Sequence, residues 1–406
     1  MADQRCDISI SGGGIAGLTA AAAFGTAGFD VICIDPAPPV TERAAKGADM
    51  RTTAMLQPAR RVLQAAGLWE KLEPHASPLQ IMRIVDAGGV EPEPRLTRDF
   101  DAADLSDQPF GWNFPNWLLR REIMSRLDEL PNVRFHAGLG AKTLFTRESE
   151  ARVGLSDGSR LRTRLVIAAD GRHSPMRQAA GIDVRTTRYG QKALAFAVTH
   201  PIPHENVSTE IHRTGGPFTL VPLPDQEGVP CSAVVWMDDG PLSQARHDMD
   251  VAAFEAEMSD RSCHLFGPLT LASPRSIWPI ISQQATRLSG ERLALIAEAA
   301  HVVPPIGAQG LNMSLADTAT LLSLAQERPE GLGDRRMLDA YHKARYSDIA
   351  LRVQGIDLLN RASQMRAPLL RDARAAGLNA LYSLAPVRKT LMQMGLGVKA
   401  ASAQST

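Results

Sequence analysis

The sequence predicts an α/β fold, α+β overall, and three observations carry that prediction. A glycine-rich turn near the N-terminus is flanked by strand patterns, with an alanine-rich helix pattern directly after it. Two further strand-to-loop segments, at 165–177 and 291–322, lie far down the chain. Between them, residues 184–286 carry short alternating apolar runs broken by Pro, Gly and Asn, the pattern of an antiparallel sheet. At 406 residues the chain is too long for one simple core, so these elements should divide into two or three units.

Asp7 to Ser11 alternate weakly and lead into SGGGIAGLTAAAAFGTAGF. Gly12, Gly14 and Gly17 satisfy G-x-G-x-x-G, the helix pattern opens on Ile15 and Ala16, and a second strand pattern, Val31 to Ile34, ends on Asp35. The first glycine permits a tight turn, the second lets backbone approach a pyrophosphate, and the third lets helix and strand pack closely. The helix N-terminus then offers unpaired N–H groups and a partial positive charge to phosphates. Asp35 is placed to accept hydrogen bonds from an adenosine ribose. This is a Rossmann-like dinucleotide site, with NAD and FAD equal candidates on these residues alone. Gly138-Leu139-Gly140 looks like a second such start, but strand-like alternation from Thr143 to Leu155 follows it, so it is read as a turn.

The later segments share one design. In LVIAADGRHSPMR a buried-strand run, Leu165 to Ala169, ends in Asp170-Gly171, with Ser174 and Arg177 at fixed offsets. Asp157-Gly158 is read instead as a hairpin turn. In ERLALIAEAAHVVPPIGAQGLNMSLADTATLL a strand, Leu293 to Ile296, gives way to Glu298, then Pro304-Pro305 and the loop Gly307-Ala308-Gln309-Gly310, with a helix starting near Leu311-Asn312. That loop aims a second helix N-terminus from a backbone with little side-chain bulk, which suits developing negative charge. His301 beside it reads either as a base or, more commonly at such a position, as a local hydrogen-bonding group.

Bulk composition excludes several classes. Lys plus Arg and Asp plus Glu both total 44, so there is no electrostatic footprint for nucleic acid. The start shows no basic n-region or apolar h-region, and no apolar run is long enough for a membrane span, so a cytoplasmic protein is expected. Cys6, Cys33, Cys231 and Cys263 are widely separated; they match no metal site or redox pair and are expected as reduced thiols in the core. No metal is expected.

The three segments, in this order, resemble the group A flavoprotein monooxygenases, which share the para-hydroxybenzoate hydroxylase fold. Within that group the chain is most similar to the ubiquinone-biosynthesis hydroxylases. Supporting stretches are Asp49-Met50-Arg51 with Ala54, Tyr189-Gly190-Gln191, Gly216-Pro217 leading to Val221-Pro222-Leu223, Val234-Val235-Trp236, Phe266-Gly267-Pro268-Leu269 and Trp278-Pro279-Ile280. The resemblance covers residues 5 to 360 or so and implies bound FAD, NADPH or NADH as transient reductant, O₂, and an aromatic or prenylated lipid substrate. It implies that Gly12, Gly14, Ile15, Ala16 and Gly17 hold the ADP half of FAD and Asp35 its ribose. Arg51 would reach the flavin or pyrophosphate, Asp170 and Gly171 FAD and the pyridine nucleotide, and Glu298 the ribityl chain. Pro305, Gly307, Gln309, Gly310, Leu311 and Asn312 would approach the ring. In FGWNFPNWLLRREIMSRL two registers compete for one more contact, Asn116 and Arg120; Asn116 is preferred, with Leu119, Ile123 and Leu127 on a buried helix face. No catalytic side chain is assigned, because the flavin carries the chemistry.

The resemblance also implies interleaved domains: 1–77, 106–183 and 287–330 for FAD, 78–105 and 184–286 for a substrate sheet, and 331–406 as C-terminal helices. Two departures stand out, Ala297-Glu298 where the family usually has Gly-Asp, and Gly-Ala-Gln-Gly at 307–310 where it has Ala-Gly-Gln-Gly. The leading function is single-component hydroxylation of a ubiquinone precursor. Hydroxylation of a small free phenol or secondary metabolite stays open, as does a non-catalytic FAD-binding accessory protein. The C-terminal helix pattern fits packing, a homodimer contact, or a membrane-surface complex at the inner face.

Overall fold

The computed structural model describes residues 3–88, 91–364, 379 and 382–396. Its first layer is an eight-stranded sheet whose centre runs Leu293–Leu295, Arg160–Ala168, Asp3–Ser11, Val31–Asp35, Val133–Ala137, all parallel. Parallel strands are covered on both faces and so read as continuous apolar runs. Ile8, Ile10, Val31, Ile32, Leu165, Val166 and Ile167 are all fully buried. Helix Ile15–Thr26 is buried on every side from Ile15 to Gly25, which is why its sequence is alanine-rich rather than amphipathic. The alternating run from Thr143 to Leu155 is a hairpin, Ala141–Thr146 with Ala151–Leu155, hung on Arg160–Ala168. Asp157-Gly158 makes the next turn, with Gly158 at φ 85°.

The second layer is a nine-stranded sheet, ordered His301–Val302, Ser276–Ala285, Val184–Thr199, Val229–Asp239, Pro217–Gln226, Val207–His212, Ile81–Asp86, Leu96–Asp101, with Thr270–Leu271 at its side. Every pairing is antiparallel except Val207–His212 with Ile81–Asp86. One face packs large side chains, Leu194, Phe196, Trp236 and Phe218, against Phe254 and Met258. The alternating runs of 184–286 do form this sheet, but two helices interrupt them. Gly240–Asp248 and Val251–Arg261 are both helical and supply that cover. Their start signals are local: Pro in the first turn of one, and Asp250 accepting from Ala253 N in the other. The opposite face carries Ala193, Met237, Val235, Trp278 and Ile280, packed on Val303 and Ile306.

A three-stranded sheet, Thr52–Leu56, Gly111–Pro115 and Ser77–Leu79, links the layers. Helix Asn116–Asp128 follows it and buries Leu119, Ile123 and Leu127, spaced by four. Helices Gln309–Glu327, Arg335–Ser363 and Ala385–Leu396 complete the described chain. The parts of the expected C-terminal helical region at 365–378, 380–381 and 397–406 lie outside the described residues. Among the described residues no helix is long and apolar enough to cross a membrane. All four cysteines are buried and free, and burial pushes the Cys6 and Cys231 thiols up to about 11.

Candidate cofactor site

Four neighbouring parallel strands end on the same edge of the first sheet, and each delivers one element of the site. Asp3–Ser11 leads to Gly12–Gly14, Val31–Asp35 ends on Asp35, Arg160–Ala168 leads to Asp170, and Leu293–Leu295 leads to Glu298. Ligands bind outside the carboxyl ends of such strands because helix N-termini and turn backbone gather there. Residues some 290 positions apart are thus brought together by strand order alone.

The glycine turn is tightly specified. Gly12 has φ 113°, and a Cβ there would lie 2.3 Å from Ala169 O. At Gly17 a Cβ would lie 2.0 Å from Gly12 O, so only hydrogen lets the helix seat on the turn. Gly14 is different: a Cβ meets nothing within 4 Å, so its missing side chain leaves room for something other than protein. Leu18 N donates to Gly14 O (2.9 Å), which leaves the N–H groups of Ile15, Ala16 and Gly17 ahead of the first intrahelical bond. Asp35 holds the turn from behind, accepting from Gly13 N at 2.6 Å and Ala37 N at 2.8 Å.

Asp170 accepts from Ser11 Oγ and Met176 N, both at 3.2 Å, through Oδ2 alone. Its Oδ1 is buried without a partner. Burial pushes this carboxyl above the usual range against the hydrogen bonds that pull it down. The fixed offsets to Ser174 and Arg177 acquire a reason here. Ser174 Oγ caps the short helix by accepting from Arg177 N (3.0 Å), and buried Arg177 donates to Ala299 O (2.9 Å) and Arg172 O (2.8 Å). Arg177 therefore stitches the Asp170 turn to the Glu298 turn. Glu298 itself is half exposed, with Arg172 Nε 3.6 Å away.

Asn116 and Arg120, the two competing registers, converge on one carboxylate that the sequence reading passed over. Asp49 accepts from Asn116 Nδ2 at 3.0 Å and Arg120 at 3.4 Å, and binds Arg51 through two bonds of 2.8 and 2.7 Å. Burial works against the Asp49 charge, but these donors hold its pKa below the ordinary carboxylate value. Asn116 Oδ1 in turn accepts from Thr53 Oγ1 at 2.7 Å, so its amide is spent inside the protein. Arg51 keeps an exposed side and lies 5.4 Å from the Trp278 ring centre. Asp49 was visible as the acid two residues before Arg51 and Trp278 as part of the stretch Trp278-Pro279-Ile280; Arg172 had no role assigned to it from the sequence.

In the last segment the helix starts at Gln309, two residues before the sequence suggested, with Ala308 at its cap in the left-handed region (φ 54°). Asn312 clamps this helix to strand Thr52–Leu56, donating to Ala54 O (2.7 Å) and Ala308 O (2.6 Å) and accepting from Leu56 N (2.8 Å). Pro305, Gly307 and Gly310 are exposed, Leu311 half-buried, and a Cβ at Gly310 would meet nothing within 4 Å. His301 is buried and lies 2.7 Å from Asp317, the local hydrogen-bonding use.

These residues fit FAD. The unpartnered Asp170 Oδ1, the open space at Gly14 and Gly310, and two helix N-termini lacking acidic first turns or side-chain caps describe a long, phosphate-bearing ligand lying along the strand ends.

Residues 5–354 match the FAD binding domain family. Ubiquinone hydroxylase UbiL of Rhodospirillum rubrum is 32% identical over 98% of this chain and 90% of its own. The 3-demethoxyubiquinol 3-hydroxylase of Escherichia coli is 26% identical over 98% of this chain and 100% of its own. Among solved structures, p-nitrophenol 4-monooxygenase PnpA of Pseudomonas putida superposes with a TM-score of 0.80 at 19% identity, covering 98% of this chain and 100% of that one, a likeness of fold. The chain belongs to the FAD-binding domain family, as an FAD-dependent hydroxylase.

Proposed function

We propose that this hydroxylase acts on the ring of a prenylated phenol, a ubiquinone precursor, as a single component using NAD(P)H and O₂. The chemistry supplied by the bound cofactor is hydride acceptance and activation of O₂ toward an electron-rich ring. The backbone of Ile15, Ala16 and Gly17 holds the pyrophosphate, Asp35 the ribose, Asp170 and Glu298 the middle of the cofactor, and Gly307 to Leu311 lie along the ring. Asn116 and Asn312 act through the protein, by holding Asp49 and strand Thr52–Leu56. The domain boundaries given above belong to the same proposal.

One observation carries the substrate class. The sheet face packed on Val303 and Ile306 pairs Ala193 with Met237, Ala195 with Val235, and Ala197 with Ala233. These apolar side chains stand on the side of the sheet that faces the Val303–Ile306 loop, which supports a ring bearing hydrocarbon as the substrate. Exposed Leu351, Leu358 and Leu359 on helix Arg335–Ser363 support a second copy or a membrane-surface complex as the working setting.

A small free phenol is the rival. It is favoured by a cavity of about 260 Å³ lined by Tyr189, Gly190, Gln191, Gly215, Asp239 and Gln364, of single-ring size and polar. NAD(P)H oxidation and oxygenated product, measured with prenylated and unprenylated phenols, decides between them. Turnover of prenylated substrate without added reductase supports the proposal. Turnover of free phenols alone, or dependence on a partner reductase, overturns it.

A further inference from the structure

His301 opens and Gln309 closes the loop that this reading sets against the flavin, and a second route of polar contacts joins the two through neighbouring helices. His301 Nε2 lies 2.7 Å from Asp317 Oδ2, and Arg345 Nε donates to Asp317 Oδ1 at 2.8 Å. Arg345 Nη1 donates to Asp348 Oδ2 at 2.6 Å, and Arg352 Nε reaches Asp348 Oδ1 at 3.2 Å. Arg352 Nη1 then donates to Gln309 Oε1 at 2.8 Å. The inner members are deeply buried, His301 2%, Asp317 0% and Arg345 6% exposed.

Gln309 is where this relay meets two other elements. Its Nε2 donates to Gly307 O at 2.8 Å, inside the loop, and to Gly395 O at 2.9 Å, on helix Ala385–Leu396. A cation held on the amide oxygen polarises the amide, so its N–H groups donate more strongly. The charge on Arg352 therefore tightens the grip of Gln309 on both carbonyls. Removing Arg345 would strand the buried Asp317 charge and threaten the fold. Arg352 is partly exposed, so its charge can be deleted while the protein remains folded.

We infer that Arg352 is a positioning residue for the flavin: through Gln309 it sets the Gly307 loop and couples FAD binding to docking of helix Ala385–Leu396 on that loop. The inference rests on the reading that this loop contacts the cofactor. It makes the C-terminal helix part of the cofactor site through a backbone carbonyl, Gly395 O.

The test uses the full chain and four variants, Arg352→Met, Arg352→Lys, Gln309→Glu and, as a control on the cofactor reading, Gly14→Val. FAD affinity is measured by fluorescence quenching, and amide exchange is followed in 303–309 and 385–396 with and without FAD. In the parent, FAD should slow exchange in both segments. Arg352→Met should bind FAD about tenfold more weakly, the scale of one partly exposed charge-assisted bond, and FAD should no longer protect 385–396. Arg352→Lys, which restores a cation, should recover most of both. Gln309→Glu keeps the Arg352 contact but cannot donate to Gly307 O or Gly395 O, so it too should lose protection at 385–396. It serves as the test should Arg352→Met fail to fold. Parental affinity in Arg352→Met, or FAD protection of 385–396 surviving in either Arg352→Met or Gln309→Glu, overturns the coupling. Gly14→Val separates the levels: if it too binds FAD normally, the cofactor reading falls, and if it alone loses FAD, only the coupling falls.

Discussion

Ala297 and Ala308 hold left-handed backbones, at φ 55° and 54°, at the two positions where the resemblance drawn from the sequence implies glycine. A Cβ in that region crowds the following carbonyl, at a cost of about 1–2 kcal/mol per residue. The Ala297-Glu298 turn and the cap of helix Gln309–Glu327 are therefore both built under strain. Ala297→Gly and Ala308→Gly should each stabilise the protein by about 1 kcal/mol, reduced somewhat by the added freedom of the unfolded chain. Urea unfolding of the FAD-free protein checks this. An unchanged or lower midpoint in both variants contradicts the strain.

Gly14 and Gly17 should fail in opposite ways. Gly14→Val projects into open space from an ordinary backbone, φ −70°, so the FAD-free variant should unfold at the parental temperature yet bind FAD poorly. Gly17→Val drives carbon into Gly12 O and should destabilise the protein itself by more than about 3 kcal/mol, beyond ordinary overpacking. Thermal unfolding beside FAD titration distinguishes the two, and equal unfolding temperatures for both variants would remove the basis of the assignment.

Asp170 makes stability fall with rising pH in the FAD-free protein. Its folded pKa is raised by burial, so the folded state holds this proton more tightly than the unfolded chain. The contribution is complete below the unfolded carboxyl value, about 3.9, and is lost as pH rises through the folded value. Asp170→Asn should therefore gain stability over the parent near pH 7 and lose that gain near pH 4, while binding FAD less well. Urea midpoints across this window test it; a gain that grows as pH falls would show the opposite linkage.

Glu298 is half exposed just beyond Leu293–Leu295, with no donor among the described residues closer than Arg172 at 3.6 Å. If it bonds the cofactor, Glu298→Ala should weaken FAD binding about ten- to a hundredfold, as a charge-assisted bond of roughly 1.5–3 kcal/mol implies. Glu298→Asp should keep most affinity. Fluorescence titration reads both, and parental affinity in Glu298→Ala excludes the contact.

The sequence made the first sheet legible because its parallel strands are continuous apolar runs ending in glycines and acids at fixed offsets. Asp35, Asp170 and Glu298 each followed such a run and Gly12 an alternating one, so strand order alone could bring them together. Helices Gly240–Asp248 and Val251–Arg261 were harder to see, lying among alternating strands and announced by little more than Pro241 and Asp250. Asp49 was legible only as a neighbour of Arg51. Its hold on Asn116 and Arg120, 67 and 71 residues away, is a product of tertiary packing that no local pattern encodes. The same holds for Arg352 and Gln309, joined across 43 residues.

The scatter of the strand ends has a consequence for synthesis. Leu293–Leu295 supplies the last wall of the proposed cofactor groove, and Gln309 is fastened to Gly395 on helix Ala385–Leu396. A nascent chain on the ribosome can shape its glycine turn early, yet it has no complete groove until residue 395, some 380 positions beyond that turn, has emerged. At about 5–20 residues per second, that leaves the half-made groove open for roughly 20–80 s. If this groove holds the cofactor, capture waits for residue 395, and chains that stop before residue 293 should appear in cells as colourless, protease-sensitive fragments.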